Sequence, residues 1–236
     1  MTEQEFIRFA NSAAAKTRDL EASSSPAKSS PLNIIKFAPQ EHVFIQGDKP
    51  KGIYKVLKGT VILYRLMADG RRQIQSFVSG GEYLAMTFAD RHDVSAEAIT
   101  PAEILCTPRS AFDRRLQCDA EFRQRILTMM GSKLQNAREQ ALMLGRKSAM
   151  ERTASFLLFL DGRFRNPETG YVEIRMSRCD IADYLGLTLE TVSRMMNKLK
   201  QRGIIDLPQA TRFTICKHER LTSLAGEVEN FSDIAA

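Results

Sequence analysis

The chain has 236 residues, 43% of them hydrophobic, and carries a formal net charge of +6. That length provides for two modest cores rather than one, and no apolar run approaches the roughly 20 residues of a membrane-spanning helix. The small positive excess suits a polyanionic partner such as nucleic acid but does not define one.

The opening, MTEQEFIRF, is acidic and lacks the basic start, long apolar segment and small-residue cleavage site of a secretory signal, which predicts a cytoplasmic protein. Residues 11–31 are rich in Ala and Ser and are broken by Pro26 and Pro31. Such a composition seldom packs, so residues 1–31 are expected to be a flexible arm.

Over residues 32–117 the texture changes to short β-branched and aromatic runs. They are cut by Gly47-Asp48-Lys49-Pro50, Lys58-Gly59, Asp69-Gly70 and Ser79-Gly80-Gly81. Turn signals at this spacing predict an antiparallel β-roll of about eight strands in a jelly-roll. Asp69-Gly70, between Gly59–Arg65 and Gln73–Val78, predicts a hairpin closed by a tight primed turn.

Residues 118–144 contain no Pro and a single Gly. Leu127, Met130, Leu134, Ala137, Ala141 and Leu144 recur at alternating spacings of 3 and 4, the pattern of a coiled-coil seam. The repeat is shorter than the three to four heptads that define a coiled coil. A helix packed on its own domain therefore stays open beside a dimerisation helix.

Gly145-Arg146-Lys147-Ser148 links this helix to residues 145–217, which read as a winged helix-turn-helix. The motif runs from Arg178 to Gly203, with Ala182 small where two helices cross, Gly186 in the turn and Val192 in the wedge between them. Thr188 is the expected N-cap of the second helix, and Val192, Met195, Met196 and Leu199 are its buried stripe. Gly203 stops that helix, and Ile204–Leu207 with Arg212–Cys216 supply two wing strands. Six basic residues between Arg175 and Arg202 face three acidic ones.

On the outward face Glu190 and Arg194 lie one helical turn apart. A guanidinium matches guanine O6 and N7 in the major groove, and a carboxylate accepts from cytosine N4. Glu190 and Arg194, with Ser193 as a third contact, are the candidate base readers. The plain alternative is a solvated i,i+4 ion pair. Ser177, Arg178, Thr191, Lys198 and Lys200 are placed for phosphates. Residues 218–236 are expected to form a short helix and an acidic tail, whose Ile234-Ala235-Ala236 end is of a kind proteases can grip.

The three histidines, His42, His92 and His218, and the four cysteines offer no ligand spacing for a metal. With no Gly-rich phosphate loop or Ser/His/Asp set, neither a metal centre nor an enzyme is expected.

The order β-roll, long helix, winged helix-turn-helix resembles the CRP/FNR superfamily of bacterial transcription regulators over nearly the whole chain. The residues that carry the resemblance are Gly59-Thr60-Val61, Gly81-Glu82-Tyr83-Leu84, Glu151-Arg152, Phe156-Leu157-Leu158 and Leu189-Glu190-Thr191-Val192-Ser193-Arg194. The fold implied is α+β: a cyclic-nucleotide-binding-like roll, a dimerisation helix and a C-terminal winged helix-turn-helix. Glu190, Ser193 and Arg194 look like the FNR and FixK side. The resemblance implies a homodimer on an inverted repeat of the TTGAT…ATCAA type, Arg194 reading guanine, contact with RNA polymerase and activation of low-oxygen genes.

Two departures narrow this. The first cysteine is Cys106, so the N-terminal iron–sulfur ligands of FNR-type sensors are not available. The Arg-Ser pair that holds the phosphate in cyclic-AMP-binding members is matched here by Val94-Ser95, which removes the anion's main partner. No cofactor is expected, as in FixK-like proteins. A ligand-gated regulator with another effector in the roll is the alternative, and a DNA-associated protein without promoter specificity is a third, which the base-reading pair disfavours.

Ser177-Arg178-Cys179-Asp180 reads as a helix start with Ser177 as N-cap, which puts Cys179 in the first turn beside Arg178. Both features favour a thiolate, so Cys179 is a candidate redox-regulatory residue, against the plain reading of a tolerated small side chain. Cys106, Cys118 and Cys216 are expected to be structural, Cys216 pointing inward from a wing strand.

Overall fold

A computed structural model describes residues 33–84, 86 and 89–226, so the predicted arm and the Ile234-Ala235-Ala236 end lie outside the described residues. The described chain divides into two compact units, residues 33–137 and 138–226.

The first unit is a roll with seven strands among the described residues. They are β1 (Ile34–Phe37), β2 (His42–Phe44), β3 (Ile53–Lys58), β4 (Thr60–Leu66), β5 (Arg72–Ser79), β6 (Ser95–Ala98) and β7 (Ala102–Thr107). One sheet has the order β1-β7-β3 and the other β2-β6-β4-β5, with antiparallel pairing throughout. After β5 the chain lies along β3 through the Lys55–Tyr83 bridge and backbone hydrogen bonds such as Leu84 N–H to the Tyr54 carbonyl at 2.9 Å, without forming a further strand among the described residues. Alternate residues point inward, and Val56, Val61, Leu63, Val78, Leu84, Ala96 and Ile104 fill the interior. Gly59, at φ +87°, permits the β3–β4 turn: a Cβ there would lie 2.4 Å from the Pro101 carbonyl oxygen.

The β4–β5 hairpin is closed differently from the expected primed turn. Gly70 N–H donates to the Met67 carbonyl at 2.9 Å, and Met67 N–H to the Arg71 carbonyl at 2.8 Å. Gly70 has φ +83°, whereas Asp69 is not in the left-handed region. The connection is thus a three-residue loop with glycine at the bulge, and the Asp69 carboxylate accepts from Arg71 N–H at 3.0 Å.

Helix α1 (Arg109–Cys118), most of which lies in the range expected to be β-roll and not predicted as a helix, leads into α2 (Ala120–Arg146). Phe112 of α1 and Phe122 of α2 meet edge to face at 5.4 Å, and with Ile53 and Ile126 they form a second apolar cluster. The face of α2 that joins this cluster is not the predicted seam. Leu127, Met130 and Leu134 are 57%, 41% and 54% exposed, Ala137 and Ala141 are exposed, and Leu144 is half-buried. One face serves the chain's own roll while the apolar stripe stays open.

In the second unit α3 (Ala149–Phe164) starts in a capping box, with Ser148 N–H donating to the Glu151 carboxylate at 2.6 Å and Glu151 N–H returning to the Ser148 hydroxyl. Helices α4 (Arg178–Leu185) and α5 (Leu189–Gln201) follow, then α6 (His218–Leu224). Phe156, Leu157, Leu160, Ile181, Leu185 and Phe213 are buried. The wing strands β9 (Ile205–Gln209) and β10 (Arg212–Ile215) are joined by a third, β8 (Val172–Glu173), in the order β8-β10-β9.

Two cysteine expectations are corrected. Cys106 is buried, but Cys118 and Cys216 are exposed. Cys118 ends α1, and Cys216 follows the last residue of β10, where inward alternation no longer applies.

Candidate DNA-binding interface

Helix α5 is held by its apolar side. Val192, Met195, Met196 and Leu199 are all buried, which turns the opposite side chains outward. Thr188 caps the helix by accepting from Thr191 N–H at 3.2 Å. Gly186 at φ +61° closes α4 and makes the turn between the two helices.

Glu190 and Arg194 are exposed, and Ser193 beside them is half-buried. The Glu190 carboxyl is held below its ordinary pKa by its own backbone N–H and by the Thr188 hydroxyl, so it presents an ionised acceptor at the helix start. Among the described residues no ion pair joins it to Arg194, whose five donors are left to the solvent side. Leu189, in register with Ser193 and 39% exposed, completes this face. The sequence reading did not single it out, although its place one residue before Glu190 and outside the buried stripe is the signal that could have done so.

The expected phosphate contacts are a less uniform group. Lys198 is exposed and Thr191 receives a hydrogen bond from the Thr188 hydroxyl at 3.1 Å. Lys200 instead donates to the Leu207 carbonyl at 2.9 Å, bracing the wing. Arg178 donates to Met196 Sδ and to the Ala210 carbonyl at the wing turn, and its burial lowers its pKa. Ser177 is engaged in a capping box, its hydroxyl donating to Asp180 at 2.7 Å while accepting from Asp180 N–H. Cys179 is exposed in the first turn of α4, but the Arg178 guanidinium is committed to Met196 and Ala210.

Inside the roll, Val94, expected to stand where an arginine would hold a phosphate, packs into the apolar core. The Ser95 hydroxyl accepts from Gln46 N–H at 3.0 Å, and Glu82 accepts from Ser79 N–H at 2.7 Å. Among the described residues no group of three His, Cys, Asp or Glu side chains could hold a metal ion. No described helix is long and apolar enough to cross a membrane.

A strand roll, a long helix and a capped helix-turn-helix with a wing define a two-part DNA-binding regulator. Residues 34–119 match the cyclic nucleotide-binding domain family, and residues 151–224 match the Crp-like helix-turn-helix domain family. The chain belongs to the CRP/FNR family of transcription regulators, and its relatives there are regulators rather than enzymes.

Within that family it is of the FixK type. It is 37% identical over 191 residues to the nitrogen fixation regulation protein FixK of Azorhizobium caulinodans, covering 80% of this chain and 77% of that one. It is 39% identical over 198 residues to the FixK of Rhizobium meliloti, covering 83% and 89%. The structure of FixK2 from Bradyrhizobium japonicum aligns with a TM-score of 0.77 and 34% identity over 82% of this chain and 96% of that one.

Proposed function

We propose that the protein is a cytoplasmic homodimeric activator of low-oxygen-type genes that binds an inverted repeat of the TTGAT…ATCAA type without a cluster or a cyclic nucleotide. The observation that carries this is the exposed Arg194, without an ion pair among the described residues, one turn from an ionised Glu190 on a helix fixed by its buried stripe. Arg194 donates to guanine O6 and N7, Glu190 accepts from the paired cytosine, and Ser193 is a third polar contact. Leu189 meets a thymine methyl. Thr191 and Lys198 hold the backbone, and Ser177, Arg178 and Lys200 support the same edge from the wing side.

Two-fold symmetry requires a second copy. The open stripe Leu127, Met130, Leu134, Ala137, Ala141 and Leu144 supplies an isologous seam, and the dimer then presents two α5 helices to major-groove faces about one helical turn apart. Activation follows from contact with RNA polymerase once the dimer is bound.

Oxidation of Cys179 switches binding off in this reading. Each peroxide transfers one oxygen atom to the sulfur and leaves as water, giving first sulfenate and then sulfinate. An anion there, about 4 Å from a phosphate, is repelled by on the order of 1–4 kcal/mol, once per half-site. Cys179→Ser is expected to keep binding after peroxide treatment that disarms the parent; equal loss in both would remove Cys179 from the account.

The deciding experiment titrates reduced protein, at fixed salt and without added ligand, against the repeat and against a duplex with the guanine–cytosine pair changed. Discrimination of about 1–3 kcal/mol per half-site, abolished by Arg194→Ala, is expected. Weak and indiscriminate binding would instead favour a ligand-gated regulator with an effector in the roll.

A further inference from the structure

Arg152 belongs neither to the buried stripes nor to the DNA-facing side chains, yet its guanidinium joins three separate segments. Nη2 donates to the Leu144 carbonyl at 2.8 Å, in the last turn of α2. Nε donates to the Lys147 carbonyl at 2.9 Å, in the link to α3. Nη1 donates to the Leu185 carbonyl at 2.9 Å, the final residue of α4. The Leu144 and Leu185 carbonyls lie at helix C-termini, where the last carbonyls have no intrahelical donor and the helix dipole is negative. One cation therefore closes two helix ends and the hinge between them.

The fit depends on the planar fork, because an ammonium concentrates its donors on one atom and cannot span three divergent carbonyls. A Cβ at Gly186 would stand 3.4 Å from Arg152 Nη1 and 3.4 Å from Leu144 Cδ2. The start of α3 has its own capping box at Ser148 and Glu151, so its local fold does not rest on this guanidinium.

We infer that Arg152 is a positioning residue that fixes the direction of the helix-turn-helix relative to the end of α2, and thereby sets the half-site spacing the dimer accepts. This rests on the dimeric, inverted-repeat reading above. If the seam relates two copies, a rotation at each hinge changes the separation of the two recognition helices, whereas the contacts of one α5 with its own half-site are unchanged.

The test titrates full-length parent, Arg152→Lys and Arg152→Gln against four duplexes: the inverted repeat, repeats with the spacer changed by one and by two base pairs, and a single half-site. The parent is expected to lose on the order of 100-fold in affinity on the altered spacers, the avidity forfeited when both copies cannot dock. Both variants are expected to match the parent on the single half-site and to compress the spacer penalty below about tenfold. Variants that keep the parent's spacer penalty overturn the inference. So does a proportional weakening on every duplex, which marks a merely structural part. A parent indifferent to spacing overturns the inverted-repeat reading and this inference with it, and the two failures are distinguished by whether the parent or only the variant lacks the preference.

Discussion

His92 shows how a single residue can tie the roll's stability to pH. Its ring is 2% exposed, stacks on Phe44 at 3.7 Å, and has no partner for either nitrogen among the described residues. Burial lowers its pKa, against the opposing pull of Asp48 and Asp93. The folded state therefore favours the neutral ring and the unfolded chain binds the extra proton, so its contribution is full above the ordinary histidine range near 6.5 and is lost as pH falls through it. Urea midpoints measured from pH 7.5 to 5 should decline in the parent, and His92→Phe, which keeps the stack, should flatten that decline. An unchanged slope in the variant would assign the acid sensitivity to other groups.

The same scale shows where the sequence was hard to read. Asp69-Gly70 places a glycine at positive φ in a primed turn and equally in the three-residue loop found here, so the dipeptide alone could not choose between them. Cys216 was assigned an inward position by alternation, but β10 ends at Ile215. In the sequence Arg152 stands out only through the family resemblance of Glu151-Arg152. No spacing rule connects it to carbonyls at 144 and 185, because those contacts are made by the folded backbone.

Among the elements, α5 was legible because all its signals are local: a Thr cap, a four-residue apolar stripe and a glycine stop. Helix α2 was legible on one side, since its open stripe is periodic while its other face is known only from the residues it packs against. The two-residue β8 carries no periodicity, and it is fixed by pairing with β10 some 40 residues later, Val172 opposite Phe213. The role proposed for α2 can be isolated. Leu134 is 54% exposed in the single chain, so Leu134→Glu should leave thermal unfolding of the monomer nearly unchanged while placing a charge in the seam. Sedimentation should then report a monomer that still binds a single half-site; a dimer that survives the substitution would move the interface elsewhere.

For the whole molecule, the division of labour follows from which groups are already satisfied. Arg178, Lys200 and Ser177 hold the helix-turn-helix and wing together, whereas Arg194 and Lys198 are exposed on the face of α5. Local motifs identified the DNA-binding part, and the two-sheet order of the roll, with β1 beside β7 and β2 beside β6, was outside their reach because it is set by long-range pairing.

The unequal exposure of the four cysteines makes the chain its own reporter. Cys118, Cys179 and Cys216 are open to solvent, whereas Cys106 is enclosed beside Tyr54, where burial pushes its thiol pKa up. A thiol reagent added to the native protein should consume three equivalents promptly, and the fourth only at the rate at which the β-roll opens. The lag before that last equivalent is a clock for opening of the N-terminal unit alone, readable while the DNA-binding unit remains folded, and prompt uptake of all four would show that the roll breathes freely around Cys106.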